Sequence, residues 1–292
     1  MTEPRVLVVG DVIDDVLVRP TGPIRLGTDT PSTIERLPGG SAANTACWIA
    51  AAGVAATVVA TVHHEDLARH AALLEHAGVV PELTGADEPT GTIVVLSDGA
   101  ERTMLTSRGA NRLTGPDAVR PELLGSHTLL HLTGHVVTGP DRDEGWRALF
   151  GLAARLGVPV SVDPGSVGLL ADYGPRRFRN LVAGCELLLP GREEAEILTG
   201  ESDPERAARA LAEHHRTVVV KCGAEGAVTV SDGRLIMTPA APSQPVDVTG
   251  AGDAFAGSLL ASLARGVPPV EALESAAKRA AEAIGILGAR PA

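Results

Sequence analysis

The residues with the clearest chemical potential lie in a glycine-rich stretch near the end of the sequence, DVTGAGDAFAG at residues 247–257. Gly250 and Gly252 permit a tight turn and a close approach of the backbone to a ligand. The apolar spacing that follows predicts a helix, and the free N–H groups at a helix start attract anions. Asp253 lies in the first turn, where it could accept a proton from a hydroxyl that attacks a phosphoryl group. The alternative is a turn in which Asp253 only caps the helix.

A second glycine loop, PGGSAANTA at residues 38–46, runs into a short predicted helix at residues 47–52 that stops at Gly53. Gly39 and Gly40 allow a ligand to approach the backbone, and Asn44 offers both a hydrogen-bond donor and an acceptor. The same pattern also fits a tight loop before a helix of small residues that serves packing alone.

Acidic residues follow the first predicted strand. The run RVLVVG at residues 5–10 is continuously apolar and predicts a buried parallel strand. Asp11, Asp14 and Asp15 come directly after it, and ligands of open α/β sheets bind at the carboxyl ends of the strands. These carboxylates could therefore hold substrate hydroxyls, while turn-forming aspartates in water remain the alternative.

Alternating strands and helices are expected to position these motifs. Together with the first strand they predict a parallel sheet covered by helices on both faces. The turn signal Asp98-Gly99 predicts a hairpin, which we expect to join exposed strands within residues 16–38 in a small separate sheet. Further strands are predicted at residues 56–62, 128–132, 159–162, 187–189, 217–220 and 227–230, and helices at about 66–77, 141–156, 192–199, 204–214 and 268–284, in addition to the helix that has Asp253 in its first turn and stops at Gly266.

Composition narrows the class of function. The 292 residues carry a formal net charge of −11, and only six of them are Phe, Trp or Tyr, which disfavours binding to nucleic acid or to an anionic membrane. Cys47, Cys185 and Cys222 lie far apart in apolar surroundings, which predicts burial and a reducing compartment. The strand-like run that begins at Arg5 leaves no room for a signal peptide, and no apolar stretch reaches membrane length. We expect a soluble, cytoplasmic protein.

Two other patterns do not predict the chemistry that they suggest at first. His127, His131 and His135 have helical spacing, but the apolar residues between them favour a strand, on which eight residues span about 26 Å. The three histidines are then too far apart to bind one zinc ion. The glycines of residues 247–257 do not fit the dinucleotide pattern G-x-G-x-x-G, and the chain has no Walker A lysine motif.

The two glycine motifs resemble the two signatures of the ribokinase-like, PfkB-type sugar kinases, and their order and separation match that family. Weaker similarity extends over nearly the whole chain, at Gly10 with Asp15 and at residues 109–114, 192–200 and 218–227. The resemblance implies one ribokinase-like domain over residues 1–292, with a three-layer αβα fold and a central, mostly parallel sheet. A small β-sheet lid would be formed by about 12–38 and 91–108, would close over the substrate and would pair two subunits in a homodimer.

The resemblance further implies an ATP-dependent kinase that phosphorylates a primary hydroxyl of a sugar or sugar acid. Asp253 would be the general base, and the backbone N–H groups of Gly250, Ala251 and Gly252 would form the anion hole. By similarity, the substrate would contact Asp15, Gly39, Gly40, Asn44 and Asp253. ATP would contact Lys221, Gly223, Gly226, Gly250 and Gly252. Glu194 would organise Mg²⁺ through water, and Asp247 and Thr249 would contribute to a monovalent-cation site for K⁺.

Several positions depart from the family pattern. Gly191 replaces the Asn that commonly lies three residues before the acid matching Glu194. Ribokinases carry an Asn, a Lys and a Glu in the sugar pocket where this chain has Ile13, Ser41 and about Gly134, which disfavours ribose.

Two arginines of the predicted hairpin bear on the substrate. Arg102 and Arg108 either pair with a carboxylate or phosphate on the substrate or are solvated lid charges. A nucleoside kinase is the alternative within the enzyme class, although the scarcity of aromatic side chains argues against it. A catalytically silent, sugar-binding family member is the alternative outside that class.

Overall fold

Two β-sheets organise the chain. The computed structural model describes residues 3–98 and 101–291, except for the side chains of residues 97, 98, 101 and 102. Within these ranges the strands are β1 (Arg5–Val9), β2 (Ile13–Pro20), β3 (Ser32–Gly39), β4 (Ala55–His63), β5 (Val79–Ala86), β6 (Gly91–Asp98), β7 (Glu101–Ser107), β8 (Leu129–Thr133), β9 (Val160–Asp163), β10 (Leu187–Leu188), β11 (Thr217–Lys221), β12 (Ala227–Ser231) and β13 (Arg234–Thr238).

The larger sheet has the strand order β13-β12-β11-β10-β9-β8-β1-β4-β5. All neighbours from β11 to β5 pair in parallel, and β12 and β13 are added antiparallel at one edge. Because β1 lies inside this sheet and is covered on both faces, its apolar run is continuous rather than alternating. The prediction of a mostly parallel central sheet is confirmed.

Helices cover both faces of the larger sheet. In β1 the side chains of Val6 and Val8 belong to one hydrophobic core, and those of Leu7 and Val9 belong to a second core on the opposite face. This arrangement is the three-layer αβα fold that the sequence predicted. The helices of the described residues are α1 (Ser41–Ala51), α2 (Leu67–His76), α3 (Pro121–Gly125), α4 (Gly134–Val137), α5 (Asp143–Leu156), α6 (Val167–Tyr173), α7 (Pro175–Val182), α8 (Arg192–Thr199), α9 (Pro204–Leu211), α10 (Ala251–Ala264) and α11 (Pro269–Ala283).

Helices α1 and α10 pack closely against each other on the same face of the sheet. Both are built largely from small residues, and a Cβ atom added at Gly257 would come within 2.7 Å of Thr45 O and of Trp48 Cβ. Glycine at this position therefore lets the two helix backbones approach. The close packing brings the first turns of the two helices, each preceded by a glycine loop, to the same cleft.

The smaller sheet has the order β3-β2-β6-β7 and is separate from the larger one. Its strands β2 and β6 pair in parallel, and the two outer pairs are antiparallel. The predicted small sheet is confirmed as a structural element, whereas its closure as a lid and the assignment of a single domain stay predictions. The Asp98-Gly99 turn and the side chain of Arg102 fall partly or wholly outside the described residues.

Some predicted boundaries are wrong. Helix α1 begins at Ser41 rather than at residue 47, because Asp11 accepts hydrogen bonds from the first turn: its Oδ2 from Ser41 N at 3.0 Å and its carbonyl from Ala43 N at 3.3 Å. The carboxylate that caps this turn lies 30 residues away in sequence, so no local pattern indicates it. The sequence reading also missed β5 and β13 and the helix pair α6 and α7.

The three histidines lie in different elements, and the three cysteines differ in burial. His127 precedes β8, His131 lies in β8 and His135 lies in α4. No metal-binding group that includes any of the three is present among the described residues. Cys47 and Cys185 are buried as predicted, but Cys222 is only half-buried because it follows β11 at the start of a loop, so that prediction is wrong.

Within the described ranges, no helix combines the length and the apolar content that crossing a membrane requires.

Candidate active site

A cleft along the carboxyl ends of the parallel strands consists of three adjoining cavities. The polar cavity, about 100 Å³, lies between the larger and smaller sheets. The central cavity, about 180 Å³, shares Ser41 with the polar cavity and shares Lys221 and Gly252 with the apolar cavity, which is about 300 Å³. The three cavities therefore form a path that passes Asp253, which lines the central one.

The predicted site residues divide among these cavities. Asp15, Gly40, Asn44 and Thr249 line the polar cavity; Glu194, Lys221, Gly252 and Asp253 line the central cavity; and Lys221, Gly223, Gly226, Ala251 and Gly252 line the apolar cavity. Gly39, Gly250 and Asp247 are not among the residues that line these three cavities, but each is next in sequence to a residue that does.

Asp253 is the third residue of α10 and does not cap that helix. The N-cap position is Gly250, whose φ of 78° is left-handed. A Cβ atom at Gly250 would come within 2.5 Å of Ala289 Cβ, so glycine is required there for both its conformation and its size. The interpretation of Asp253 as a mere cap is therefore wrong, because its carboxylate faces the central cavity and Asn44 rather than its own N–H groups.

The environment of Asp253 makes its carboxylate basic. Asn44 Nδ2 donates a hydrogen bond to Asp253 Oδ2 at 2.9 Å. Burial raises the pKa of Asp253 to about 7, reinforced by the charges of Asp163 and Asp11, although the hydrogen bond from Asn44 acts in the opposite direction. A carboxylate that titrates near neutral pH has the proton affinity that suits a general base.

Two aspartates, Asp15 through its carboxylate and Asp11 through its backbone carbonyl, pack against the first glycine loop. A Cβ atom at Gly39 would collide with the carboxylate of Asp15, and one at Gly40, where φ is 98°, would collide with Asp11 O. Burial and the neighbouring Asp11 raise the pKa of Asp15 to about 6. Asp11 itself is used internally, since its Oδ1 accepts from Thr133 Oγ1 at 3.1 Å while its Oδ2 caps α1.

Asp14, the second of the three acids after β1, lies outside the cleft. It accepts two hydrogen bonds from Arg69, at 2.8 and 2.7 Å. The three neighbouring acids therefore differ: Asp14 forms an ion pair, whereas Asp11 and Asp15 both line the polar cavity, and of these two Asp11 is already engaged in hydrogen bonds that support the fold. The prediction for Asp15 is the one that the geometry supports.

A cluster of one cation and two acids lies beside Asp253 in the central cavity. Lys221 Nζ forms an ion pair with Asp163 Oδ2, and Glu194 Oε2 accepts a hydrogen bond from Gly191 N at 2.7 Å. Burial, together with the charge of Asp163, raises the pKa of Glu194 to about 7. Burial works against the charge on Lys221, but Asp163 and Glu194 outweigh it, so the pKa of Lys221 is raised.

This cluster fits a magnesium nucleotide. Carboxylate oxygens are the ligands that Mg²⁺ prefers, and Asp163 and Glu194 line the same cavity. Lys221 places a positive charge at the junction of the central and apolar cavities, a position where phosphate oxygens could bind. The apolar cavity is lined mainly by glycine, alanine and other apolar residues, including Phe255 and Ile284, which is the surface that a nucleobase requires.

Asp247 is buried behind the second glycine loop. Its Oδ1 accepts from Thr249 N at 2.8 Å and its Oδ2 accepts from Gly288 N at 3.2 Å. The carboxylate thus ties the segment before α10 to the segment after α11. The predicted role of Asp247 and Thr249 in binding a monovalent cation stays a prediction.

Arg108 contributes a positive charge to the polar cavity. It follows β7 of the smaller sheet, lines the cavity and donates from Nη2 to His135 O. Burial lowers the pKa of Arg108, but a guanidinium remains charged at neutral pH. The interpretation of Arg108 as a solvated charge is therefore wrong, since it is partly buried and lines the same cavity as Asp15.

Comparison with known proteins decides the family. The family model described as pfkB family carbohydrate kinase matches residues 3–292. The chain belongs to the pfkB family. Membership makes it a phosphotransferase with an alcohol group as acceptor, as the sequence motifs predicted.

Two curated proteins illustrate the range of this pfkB family. A 2-dehydro-3-deoxygluconokinase of Thermoproteus tenax is 31% identical over 283 residues, which cover 91% of this chain and 86% of that protein. A bifunctional protein HldE of Shewanella baltica is 33% identical over 304 residues. The chain aligns over 97% of its own length but spans only 60% of that longer protein.

Solved structures share the fold. An adenosine kinase from Sinorhizobium meliloti superimposes with a TM-score of 0.88 at 23% identity, over 99% of this chain and 96% of that one. A ribokinase of Arabidopsis thaliana complexed with ribose and ATP superimposes with a TM-score of 0.79 at 24% identity, over 99% and 95% of the two chains. At these identities the likeness establishes the fold alone.

Two residues of this pfkB-family site were not predicted from the sequence. Asp163 ends β9, and an acid at the carboxyl end of a buried strand is a signal that could have found it. Arg290 lies near the end of the chain and donates to Asn44 Oδ1 from Nε at 3.1 Å and to Gly39 O from Nη2 at 2.9 Å. No sequence signal could have indicated Arg290, because its partners lie 246 and 251 residues away.

Proposed function

We propose that the chain is an ATP-dependent kinase that phosphorylates a primary hydroxyl of a sugar acid. The observation that supports this most directly is the position of Asp253. Its carboxylate lines the cavity that connects a polar cavity to an apolar one, at the start of α10 and with a pKa of about 7. A base with this proton affinity, next to N–H groups that face the same cavity, is suited to phosphoryl transfer.

In the proposed reaction the sugar lies in the polar cavity and the nucleotide lies in the apolar one. Asp253 accepts the proton of the attacking hydroxyl, the hydroxyl oxygen forms a bond to the γ-phosphorus, and the bond from that phosphorus to the ADP oxygen breaks. The N–H groups at the start of α10 stabilise the charge on the transferred phosphoryl group. Lys221 compensates the charge on the phosphate oxygens at the junction of the two cavities.

Mg²⁺ is proposed to bind with the nucleotide near Asp163 and Glu194. When bound, it would neutralise phosphate charge and hold the β- and γ-phosphates in one orientation. Glu194 is held by Gly191 N, and Asp163 is held by Lys221, so both carboxylates are fixed before any ligand enters. Asp247 and Thr249 are proposed to contribute to a K⁺ site behind the second glycine loop.

An acidic sugar is favoured by the composition of the polar cavity. Arg108 provides the cationic group that a substrate carboxylate requires, while Asp15 and Asn44 are placed to hold hydroxyls. Ile13 and Ser41 line the same cavity at positions where ribokinases have an Asn and a Lys, and the loss of those polar groups disfavours ribose. The similarity to a 2-dehydro-3-deoxygluconokinase agrees with this substrate class.

A nucleoside substrate is less compatible with the cavity. No Phe, Tyr or Trp is present among the described residues that line it. A nucleobase would therefore lack a stacking surface in this cavity. A silent, sugar-binding protein is disfavoured as well, because such a protein has no need of a basic carboxylate beside Asn44.

The smaller sheet is proposed to act as the lid and to pair two copies of the chain. Ile93, Thr106 and Ser107 from this sheet line the polar cavity together with residues of the larger sheet. Ile34, Met104 and Leu105 are exposed on it, each by more than half of its surface. Exposed apolar side chains concentrated on a small sheet are consistent with a subunit contact.

The test is an ADP-release assay with a panel of sugar acids, neutral sugars, sugar phosphates and nucleosides, combined with the variant R108A. We expect the highest kcat/KM with a sugar acid and expect R108A to raise the KM for that substrate by roughly tenfold or more, since a charge-assisted pair is lost. The matched control is R112A, because Arg112 lies four residues away and pairs with Glu88 at the surface. A preference for nucleosides or neutral sugars, or an equal effect of both variants, would contradict the proposed substrate class.

A further inference from the structure

We propose that Arg290 is a positioning residue for phosphoryl transfer: it binds Asn44 Oδ1 and thereby directs the Asn44 amide toward the Asp253 carboxylate. Arg290 Nε lies 3.1 Å from Asn44 Oδ1, and Asn44 Nδ2 lies 2.9 Å from Asp253 Oδ2. The three side chains thus form one continuous relay. This inference rests on the proposed function, in which Asp253 is the base.

The relay fixes the orientation of the amide. A guanidinium can only donate hydrogen bonds and an ionised carboxylate can only accept them. Asn44 satisfies both neighbours only when its oxygen faces Arg290 and its nitrogen faces Asp253. The ionised carboxylate by itself already disfavours the flipped amide, which would bring two acceptor oxygens together, and Arg290 strengthens the productive orientation by adding a charged donor at the other end of Asn44.

Arg290 is itself held firmly. The preceding residue, Ala289, accepts a hydrogen bond at its carbonyl from Trp48 Nε1 at 2.9 Å. One residue earlier, Gly288 N donates to Asp247 Oδ2 at 3.2 Å. Arg290 Nη2 also donates to Gly39 O at 2.9 Å. The segment at residues 288–290 therefore ties the first glycine loop, α1 and the residues before α10 into one assembly.

The consequence for the reaction concerns the two oxygens of Asp253. Oδ2 is engaged by Asn44, and no hydrogen bond to Oδ1 is found among the described residues. The relay thus leaves Oδ1 to receive the proton of the substrate hydroxyl. We expect loss of Arg290 to lower kcat more than it raises the KM for ATP, because the nucleotide occupies the other side of the cleft.

The test is a double-mutant cycle in the full-length chain, with wild type, R290A, N44A and the double variant assayed for ADP release with the sugar that the wild type prefers. We expect R290A to lower kcat by roughly tenfold to a hundredfold, as loss of a charge-assisted hydrogen bond implies, and to change the KM for ATP less than about twofold. In the N44A background the same substitution should cost less than about threefold, since Arg290 acts through Asn44. R290K, which retains the charge, should recover part of the loss.

The control is R265A. Arg265 lies at the opposite end of α10 and, like Arg290, donates to a backbone carbonyl, here Ala52 O at 2.8 Å. This variant should leave kcat within about twofold of wild type. Equal losses for R290A in both backgrounds, or an unchanged kcat, would overturn the inference while leaving the proposed function intact. Absence of turnover in the wild type would instead overturn the proposed function. Should R290A fail to fold by circular dichroism, the cycle is run with R290M, which keeps the bulk of the side chain but cannot donate a hydrogen bond to Asn44, and the same two outcomes decide it.

Discussion

The two helices that begin at the cleft, α1 and α10, differ in what faces their first N–H groups. Both follow a glycine with a positive φ, 98° at Gly40 and 78° at Gly250. At α1 the carboxylate of Asp11 already accepts from Ser41 N. At α10 no side chain of the described residues accepts a hydrogen bond from Gly252 N or Asp253 N.

The comparison shows how the same local geometry serves two purposes. An internal carboxylate occupies the anion-binding position of α1, so that helix start is closed to an external anion and supports the fold around Asn44. The start of α10 keeps its partial positive charge for an external anion, and its own acid faces the cavity instead. Of the two glycine loops, we therefore expect only the second to bind a phosphate.

The largest expected effect comes from removing the acid of α10. D253N preserves the shape of the side chain but cannot accept the hydroxyl proton, so we expect kcat to fall by roughly 10³-fold while the KM for ATP changes little. The measurement is steady-state ADP release with the preferred sugar, with nucleotide binding followed by calorimetry.

The matched control for D253N is D203N, at the start of α9. Asp203 is a true cap, since its Oδ1 accepts from Arg206 N at 2.9 Å, and it lies at a helix start outside the cleft. We expect D203N to retain wild-type kcat. Wild-type turnover in D253N would show that the acid of α10 is a structural residue like Asp203.

The difference between the two helix starts could be predicted from the sequence only in part. The glycines, Asn44 and Asp253 are close in sequence to the helix starts they shape, so local patterns and family resemblance located them. The carboxylate that closes α1 comes from Asp11, and the side chain that orients Asn44 comes from Arg290; both contacts depend on tertiary packing. The fold class followed from strand–helix alternation, whereas β5 and β13 were missed because edge strands have weak periodicity.

A smaller effect is expected from changing the glycine that opens α10. G250A places a methyl group within 2.5 Å of Ala289 Cβ and forces a left-handed conformation on alanine. We expect the N–H groups at the start of α10 to shift and kcat/KM to fall by roughly tenfold to a hundredfold, less than the roughly 10²–10³-fold cost of deleting one oxyanion-type donor, because the donors are displaced rather than removed. The assay is again ADP release at varied sugar and ATP.

The control for G250A separates backbone strain from loss of the anion site. Gly157 ends α5 with φ 71°, and a Cβ atom added there would meet no other atom within 4 Å, so G157A carries the strain alone. We expect G157A to lose about 1 kcal/mol of stability, as a left-handed alanine does, without loss of kcat/KM. Equal activity losses in the two variants would mean that the start of α10 has no special role.

The smallest expected effect is on stability, and it tests whether Asp253 is held at an energetic cost that Asp203 does not carry. The pKa of Asp253 is raised to about 7 in the folded chain from an ordinary value of 3.8. Below about pH 4 the carboxyl is protonated in both the folded and unfolded states, so it has no effect on the pH dependence of stability. Between these two pKa values only the unfolded state releases the proton, and the free energy of unfolding falls as pH rises, reaching its full loss above pH 7.

D253N removes that loss of stability. We expect its Tm to exceed that of wild type by at least about 2–4 °C at pH 8, and this difference to close toward pH 4, as measured by differential scanning calorimetry. The Tm of D203N should not exceed that of wild type at pH 8, because a surface cap stabilises the helix. If the difference in Tm between D253N and wild type stayed constant from pH 4 to 8, the carboxylate of α10 would be no more basic than that of an ordinary helix cap.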